Sequence, residues 1–487
     1  MAQTHKRACT GIQGLDDVLH GGLIRDRLYL LEGMPGSGKT TLAFQFLLEG
    51  AKLGEPVLYV TLSETEEEIR DVADSHGWSM DGVTIRELVS TQTGLEAEQQ
   101  YTVFHPSEVE LTETTKKILQ DVERINPTRV VFDSLSELRL LAADPLRYRR
   151  QILAFKQYFS GRKCTVLMLD DLTGTDHDLQ VQSIAHGSIM LTHNIPAFGG
   201  VRRRISVTKY RGSDFRGGYH DYEIYRGGLQ VYPRLVAAEH RQESSRDRLK
   251  SQLPELDTLL GGGLERGTST LIQGAPGTGK STIAGLFVAR AAERGERSTL
   301  FIYDESSNTL FSRMKGLGVD LKKHADAGLV KVQQIDPAEF SPGRLGQEIR
   351  LAVERDKSCI VVIDSLNGYL HSMPDEQYLV TQLHELLSYL GQQGVATILV
   401  APQQGMMGSH MTSVVDVSYL ADSVLLLRYF EDAGEVKQAI SAVKMRGGNH
   451  ERSIREFSMR ESRINVGPPL HDYHGVFTGV PHKKPKT

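Results

Sequence analysis

Two glycine-rich octapeptides occur at corresponding places in the two halves of the chain. Residues 33–40 read GMPGSGKT and residues 274–281 read GAPGTGKS, so both fit the pattern G-x-x-x-x-G-K-[ST]. In such a loop the glycines let backbone N–H groups surround phosphate oxygens, and the lysine reaches the β- and γ-phosphates. The pattern predicts two ATP sites, in which Lys39 and Lys280 bind phosphate and the hydroxyls of Thr40 and Ser281 hold Mg²⁺.

The two halves are copies of one domain. Lys39 and Lys280 are 241 positions apart, and the same offset links other identical residues, namely Leu15 with Leu256, Gly22 with Gly263, Leu23 with Leu264 and Glu64 with Glu305. A repeat of this length is a domain duplication rather than a short-period solenoid. We predict a first domain over 1–232, an exposed linker over 233–250, a second domain over 251–470 and a short tail over 471–487.

Composition narrows the class of protein. Apolar residues make up 39% of the chain and charged residues 24%, which is ordinary for a globular protein. We expect no membrane span and no signal peptide, and the three cysteines, Cys9, Cys164 and Cys359, are too few and too scattered for a disulfide or zinc framework. The expected location is therefore the cytoplasm. A net charge of −5 weighs against a nucleic-acid partner.

Strand and helix patterns alternate in each copy. Residues 28–31 form a short apolar run before the first loop, residues 41–48 have helical spacing, and residues 57–62 form the next apolar run. The second copy repeats the order. Such alternation predicts a tandem α/β protein, in which each domain has a mostly parallel sheet with helices on both faces.

An acidic residue ends an apolar strand in each copy. Asp133 follows the run RVVF and Asp364 follows IVVI. A carboxylate at the carboxyl end of a buried parallel strand faces the crevice where ligands bind, so we assign both aspartates to Mg²⁺. The alternative is a helix N-cap, a position that aspartate also favours.

Carboxylates that could act as the base for hydrolysis follow the second strand of each copy. They are Glu64 in the first copy and Asp304 with Glu305 in the second, because serine rather than glutamate follows Asp133 and Asp364. This placement resembles the RecA-like branch of P-loop ATPases. The three glutamates at 66–68 are expected in the solvated first turn of a helix.

The whole chain resembles the KaiC family, the duplicated RecA-like ATPases of circadian clocks and their relatives. The matching motifs are TGIQGLD at 10–16, GGL at 21–23, both loops, both Asp-Ser-Leu strand ends, HGW at 76–78, KYRG at 209–212 and KMRG at 444–447. They cover nearly all of residues 8–470.

The resemblance implies a hexamer of two stacked rings with ATP between subunits. Lys209 and Arg211, and likewise Lys444 and Arg446, would then reach the nucleotide held by the neighbouring subunit, as arginine fingers do. The alternative is a solvated Lys-x-Arg pair on one face of a strand. All the residues that we assign to nucleotide binding are Gly36, Ser37, Gly38, Lys39, Thr40, Thr41, Gly277, Thr278, Gly279, Lys280, Ser281, Thr282, Lys209, Arg211, Lys444 and Arg446.

The sequence departs from the family pattern at three places. Ser63 replaces the first of the paired glutamates in the first domain, which leaves Glu64 alone and puts the rate of hydrolysis in question. The family's second domain can phosphorylate an adjacent Ser-Thr pair, and Ser418-Tyr419 stands there, so Ser418 is the candidate acceptor of an autokinase. The short basic tail leaves little room for the extension that KaiA grips, so we expect no KaiA dependence, whereas a KaiB-like partner stays open.

A second function class comes from the fold that the resemblance implies. RecA-like rings also serve as DNA-acting motors and recombinases. The net charge and the absence of a long basic run weigh against such a motor.

Overall fold

The structure is a computed structural model that describes residues 6–88, 106–142, 144–172, 179–240, 247–372, 378–403, 417–460, 463–477 and 482–483. The chain divides into two compact units, Met1–Arg234 and Leu235–Thr487. The division falls within residues 233–250, the stretch predicted as a linker. The finer limits of the two domains stay a prediction.

The first unit alternates strands and helices as predicted. Its strands are β1 (Arg7–Ala8), β2 (Leu23–Ile24), β3 (Leu28–Gly33), β4 (Val57–Thr61), β5 (Val83–Glu87), β6 (Arg129–Asp133), β7 (Thr165–Asp171), β8 (Gly187–Asn194), β9 (Arg202–Tyr210), β10 (Tyr219–Tyr225) and β11 (Gly228–Tyr232). Its helices are α1 (Gln13–Val18), α2 (Lys39–Lys52), α3 (Glu66–His76), α4 (Pro106–Ile125), α5 (Leu135–Ala142), α6 (Pro145–Ser160) and α7 (Leu179–Ile184).

The second unit repeats this order after a 3₁₀ turn at Ala237–His240. Its strands are β12 (Arg248–Leu249), β13 (Leu264–Glu265), β14 (Ser269–Gly274), β15 (Arg297–Ile302), β16 (Val330–Gln334), β17 (Ser358–Asp364), β18 (Ala396–Pro402), β19 (Ser423–Asp432), β20 (Glu435–Met445), β21 (Arg455–Arg460), β22 (Arg463–Pro469), β23 (Tyr473–His474) and β24 (His482–Lys483). Its helices are α8 (Pro254–Leu259), α9 (Lys280–Glu293), α10 (Ser307–Gly316), α11 (Leu321–Asp326), α12 (Pro342–Glu354), α13 (Leu366–His371) and α14 (Leu379–Gln392).

The main sheets of the two units have the same topology. Within the described residues each has nine strands, in the order β5-β4-β6-β7-β3-β8-β9-β10-β11 in the first unit and β16-β15-β17-β18-β14-β19-β20-β21-β22 in the second. The parallel strands of the first unit are, in spatial order, β5, β4, β6, β7, β3 and β8, and those of the second unit are β16, β15, β17, β18, β14 and β19. The remaining strands of each main sheet pair antiparallel. The predicted tandem, mostly parallel α/β fold is confirmed.

Strand β3 lies at the centre of the first sheet and is buried along its whole length. Leu28 and Leu30 pack into one apolar cluster, whereas Tyr29 and Leu31 pack into another, because successive side chains of a strand point to opposite faces. Both faces of the strand are therefore covered. Polar groups that bind a ligand are left to the carboxyl ends of the strands.

The stretch predicted as an exposed linker is buried in part. Ala237 is buried, its N–H donates to the Glu385 carboxylate at 3.2 Å, and His240 packs edge-on against Tyr389. Leu249 is also buried in the core of the second unit. The reason is that apolar residues at both ends of the stretch, Ala237 and Leu249, pack into the core of the second unit. Residues 241–246 lie outside the described part of the chain.

The chain's single tryptophan, Trp78, lies just after α3 in the first unit. Its ring stacks on that of His76 with 4.5 Å between centroids, and its Nε1 donates to the Gly227 carbonyl at 3.2 Å. Among the helices of the described residues, none combines the length and the apolar character that a membrane crossing requires.

Candidate nucleotide sites

Each glycine-rich loop joins the central strand to a helix that starts at the loop lysine. Gly38 and Gly279 precede those helices with φ of 93° and 96°, a left-handed conformation that favours glycine. A Cβ at Gly38 would lie 2.6 Å from Ile224, and one at Gly279 would lie 2.6 Å from Phe457. Each loop thus leads into the N-terminus of a helix, where the first backbone N–H groups have no partner within the helix, an arrangement that binds phosphate.

Lys39 is held by its own loop and by a carboxylate. Its Nζ donates to the carbonyls of Gly33 and Met34 at 2.9 and 3.1 Å, and it lies 2.6 Å from Oδ1 of Asp171. Asp171 is the last residue of β7 and pairs in register with Gly33. The Asp171 carboxylate therefore forms an ion pair with the ammonium group that would otherwise bind phosphate.

Lys280 has a different environment in the second copy. Its Nζ donates to the Ala275 carbonyl at 2.7 Å. Burial lowers the pKa of Lys280 to about 8, although Asp364 and Asp304 act in the opposite direction. The residue that pairs with Gly274, at the place of Asp171, is Pro402. Among the described residues, therefore, only the first site places a carboxylate in an ion pair with its loop lysine.

The predicted magnesium residues meet in both copies. Thr40 donates to Oδ2 of Asp133 at 2.8 Å, and the Tyr59 hydroxyl donates to the same oxygen at 2.5 Å. Burial raises the pKa of Asp133, and these two donors counteract it. In the second copy the Ser281 hydroxyl forms a hydrogen bond with the Asp364 carboxylate. Burial raises the pKa of Asp364 to about 6.

These donor sets fit Mg²⁺ bound together with a nucleotide. The ion prefers oxygen ligands and takes few from the protein when phosphates supply the others. Each copy offers one hydroxyl and one carboxylate in hydrogen-bond contact. Over the described residues no cluster of three or more acidic, histidine or cysteine side chains could hold a metal ion. The sites therefore suit Mg²⁺ that arrives with ATP.

Glu64 lies at the first site in a form suited to a base. Thr61 fixes its backbone, because the hydroxyl donates to the Glu64 carbonyl at 2.8 Å and accepts from its N–H at 3.0 Å. Its Oε2 is buried and has no hydrogen-bond partner among the described residues. Burial raises the pKa of Glu64, and the charge of Asp133 adds to that shift. A raised pKa makes a carboxylate a stronger proton acceptor.

Asp304 and Glu305 line a cavity of about 710 Å³ together with Lys280, Ser281 and Asp364. Glu305 is not free as Glu64 is, because its Oε1 accepts a hydrogen bond from Arg313 at 2.6 Å. The three glutamates after Glu64 form the first turn of α3, with a capping box between Thr65 and Glu68, as predicted for a solvated helix start.

The lysines of the two Lys-x-Arg motifs contact their own chain. Lys209 Nζ donates to the carbonyls of Gln182, Ser183 and Ala185, which lie at the end of α7 and just after it. Lys444 Nζ donates to the carbonyls of Ser418 and Ala421, at 2.8 and 2.7 Å, in the equivalent turn before β19. Both lysines are partly exposed and contact carbonyls of their own chain, and the alternative of a solvated pair stays open.

The arginines of these motifs are more exposed. Arg211 donates to the Ser183 carbonyl at 3.3 Å, and Arg446 donates to the Tyr419 carbonyl at 2.6 Å. Over half of the Arg446 side chain, 56%, is accessible to solvent. Tyr419 is equally exposed, and Ser418 is half-buried in the same turn. The role of both arginines across a subunit boundary stays a prediction.

Sequence reasoning missed three residues of the sites. Asp171 ends an apolar strand as Asp133 does, so the same pattern could have found it. Tyr59 lies inside an apolar strand, and Arg313 lies eight residues after Glu305 on a helix surface. Nothing in the sequence pattern distinguishes these two from ordinary core and surface residues.

Known proteins resemble the chain along almost all of its length. A family model described as "ATPase: KaiC" matches residues 8–236 and 249–471. The "Circadian clock oscillator protein KaiC" of Parathermosynechococcus lividus is 28% identical over 477 residues, which cover 97% of this chain and 87% of that protein. The "Circadian clock protein KaiC3" of Synechocystis sp. PCC 6803 is 28% identical over 481 residues, which cover 97% and 94%.

The fold and the two loop sites define a tandem P-loop ATPase of the RecA-like class. The chain belongs to the KaiC ATPase family, because the family model matches both copies.

The contact between Lys39 and Asp171 generates a prediction for the first site. In a Lys280→Ala background, Asp171→Asn should tighten Mg·ATP binding by roughly two- to tenfold, because a partly buried ion pair no longer competes for the ammonium group. The measurement is a titration with a fluorescent ATP analogue. The reciprocal variant Pro402→Asp, in a Lys39→Ala background, should weaken the second site. Unchanged or weaker binding in Asp171→Asn would contradict the assignment.

Proposed function

We propose that this protein is an ATP-binding and ATP-hydrolysing ring protein that acts in circadian-type timing or signalling. The main support is that each copy brings together a loop lysine, a hydroxyl–carboxylate pair and a further carboxylate. The further carboxylate is Glu64, just after β4, in the first copy, and Asp304 or Glu305, just after β15, in the second. The names of the relatives support the timing role. Both sites would bind ATP with Mg²⁺.

The residues divide the chemistry of hydrolysis between them. Lys39 and Lys280, with the loop N–H groups, bind and orient the phosphates. Thr40 with Asp133, and Ser281 with Asp364, would hold Mg²⁺, which neutralises charge on the phosphates when bound. Glu64 in the first copy, and Asp304 or Glu305 in the second, accept a proton from the attacking water. The polar cluster at the carboxyl ends of the strands supports this division.

We further propose a homo-oligomer, a hexamer with ATP between subunits. The contacts of the Lys-x-Arg motifs support separate roles for their two residues. The lysines hold a turn of their own chain, as three carbonyls around Lys209 indicate. Arg211 and Arg446 each donate to one carbonyl of their own chain, and these more exposed side chains would turn from it to reach the phosphates of a neighbour. A KaiB-like protein as partner rests on family resemblance alone.

We also propose serine/threonine autokinase activity of the second domain, with Ser418 as acceptor. In this reaction the Ser418 oxygen attacks the γ-phosphorus, its proton passes to Asp304 or Glu305, and ADP leaves. The support is positional: the Ser418 carbonyl binds Lys444, two residues before Arg446. Hydrolysis alone would use the same site.

The first prediction concerns stoichiometry. Lys39→Ala and Lys280→Ala should each remove about half of the bound nucleotide, since each lysine serves one of two loops. Bound ATP per chain is measured after gel filtration in Mg·ATP. Full stoichiometry in either variant would mean that the corresponding loop is not a nucleotide site.

A second prediction separates the two residues of each motif. Arg211→Ala and Arg446→Ala should slow hydrolysis much more than they weaken ATP binding, because a finger stabilises charge in the transition state. Lys444→Ala should instead lower the thermal stability, since the carbonyls of Ser418 and Ala421 lose their donor. Steady-state kinetics and light scattering check both. An active monomer would rule out the shared site.

Phosphopeptide mapping tests the kinase proposal after incubation with Mg·ATP. Phosphate should appear on Ser418 in the wild type and vanish in Asp304→Asn and Ser418→Ala, because the first removes a base and the second removes the acceptor. Phosphate on Tyr419 would identify the phenol as the acceptor. If residues 412–423 carry no phosphate in the wild type, the second domain is an ATPase only.

A further inference from the structure

One arginine distinguishes the candidate base of the second site from that of the first. Arg313 projects from α10, whose N-cap Ser306 accepts a hydrogen bond from the Thr309 N–H. Its Nη2 donates to Oε1 of Glu305 at 2.6 Å, and its Nη1 donates to the Thr282 hydroxyl at 2.8 Å. The guanidinium therefore ties the carboxylate to the first turn of the helix that follows the phosphate loop.

This tie is partly shielded from water. The side chain of Arg313 is 34% exposed and that of Glu305 is 21% exposed. Arg313, Glu305 and Thr282 all line the cavity of the second site, together with Lys280. The ion pair thus lies at the nucleotide site and not on a remote surface. A charged bond of this geometry is stronger than one between neutral groups.

The first copy has a helix, α3, that corresponds to α10 but carries no arginine at the position of Arg313. The offset of 241 places Val72 at the position of Arg313, Thr41 at that of Thr282 and Glu64 at that of Glu305. Helix α3 starts with an N-cap Thr65, as α10 starts with Ser306. Valine offers no hydrogen-bond donor. Accordingly, Oε2 of Glu64 is buried without a hydrogen-bond partner among the described residues.

We propose that Arg313 is a positioning residue that restrains Glu305 and so slows proton transfer from the attacking water to this carboxylate at the second site. The inference rests on the proposed hydrolytic function. In that reaction a water oxygen attacks the γ-phosphorus, the bond from that phosphorus to the β-bridging oxygen breaks, and the water proton passes to the glutamate. ADP and inorganic phosphate leave.

The physical reason is competition for one carboxylate. Glu305 must accept a hydrogen bond from water to orient it, and the arginine already uses Oε1. Moving the carboxylate to the water breaks a charge-assisted hydrogen bond, whereas Glu64 has no such bond to break.

The experiment isolates each site in the full-length protein by silencing the other base. Glu64→Gln leaves the first loop intact and removes its base, so the remaining hydrolysis reports the second site. Adding Arg313→Val should raise kcat by roughly three- to tenfold with little change in KM, as expected for the loss of a partly exposed ion pair. Arg313→Lys keeps a charge near the glutamate and should restore much of the slow rate. Adding Glu305→Gln to Arg313→Val should abolish the gain.

A reciprocal variant tests the same inference in the other copy. With Asp304→Asn and Glu305→Gln in the second site, Val72→Arg places a guanidinium beside Glu64 and should lower kcat of the first site by a similar factor. Because Val72 and Arg313 are both partly exposed on a helix, neither change removes a core residue. This reciprocal variant still tests the inference if Arg313→Val folds poorly.

Each outcome decides between the inference and the proposed function. A fall in kcat in Arg313→Val, an unchanged kcat, or an effect confined to KM would overturn the inference and leave the ATPase standing. A gain that survives Glu305→Gln would also overturn it. Failure of the proposed function looks different, because the wild type would then hydrolyse ATP no faster than the double variant Lys39→Ala, Lys280→Ala.

Discussion

The hydrogen bond between the phosphate-loop hydroxyl and the acidic end of a strand two places away in the sheet organises each half of this protein. A parallel sheet that is buried on both faces can carry charge only where its strands end. Thr40 and Asp133 meet at such an end, across the gap between two strands that are not adjacent in the sheet. Lys39, Tyr59 and Glu64 belong to elements that the same parallel pairing brings to that edge. The chemistry of the site is therefore a direct consequence of strand order.

Much of this could be predicted from the sequence because the relevant patterns are local. The glycine loops, the apolar strands with terminal aspartates and the offset of 241 indicated the fold class and the contact between a loop hydroxyl and a strand-end aspartate in each copy. What the sequence could not reveal depends on side chains from distant elements. Asp171 reaches Lys39 from a strand that is 132 positions further along the chain. Likewise, the lysine of each Lys-x-Arg motif binds carbonyl groups of its own chain, which no spacing rule indicates.

The duplication makes the differences between the copies informative. Because the backbones follow one topology, a substitution between equivalent positions changes chemistry in an otherwise constant frame. The first site places a carboxylate on the loop lysine and, among the described residues, leaves Oε2 of its glutamate without a hydrogen-bond partner. The second site does the opposite, with proline at the former position and an arginine on the glutamate. One copy thus restrains the group that binds phosphate, and the other restrains the group that would activate water.

The stacked pair of Trp78 and His76 has a practical consequence. Since the second unit contains no tryptophan, indole fluorescence from the intact chain originates in the first domain alone. The ring lies beside α3, the helix that begins two residues after Glu64, and it is tied to the turn between β10 and β11. Movements of that helix during turnover would alter the environment of a natural optical probe, and a spectrometer could follow one half of the molecule without any label.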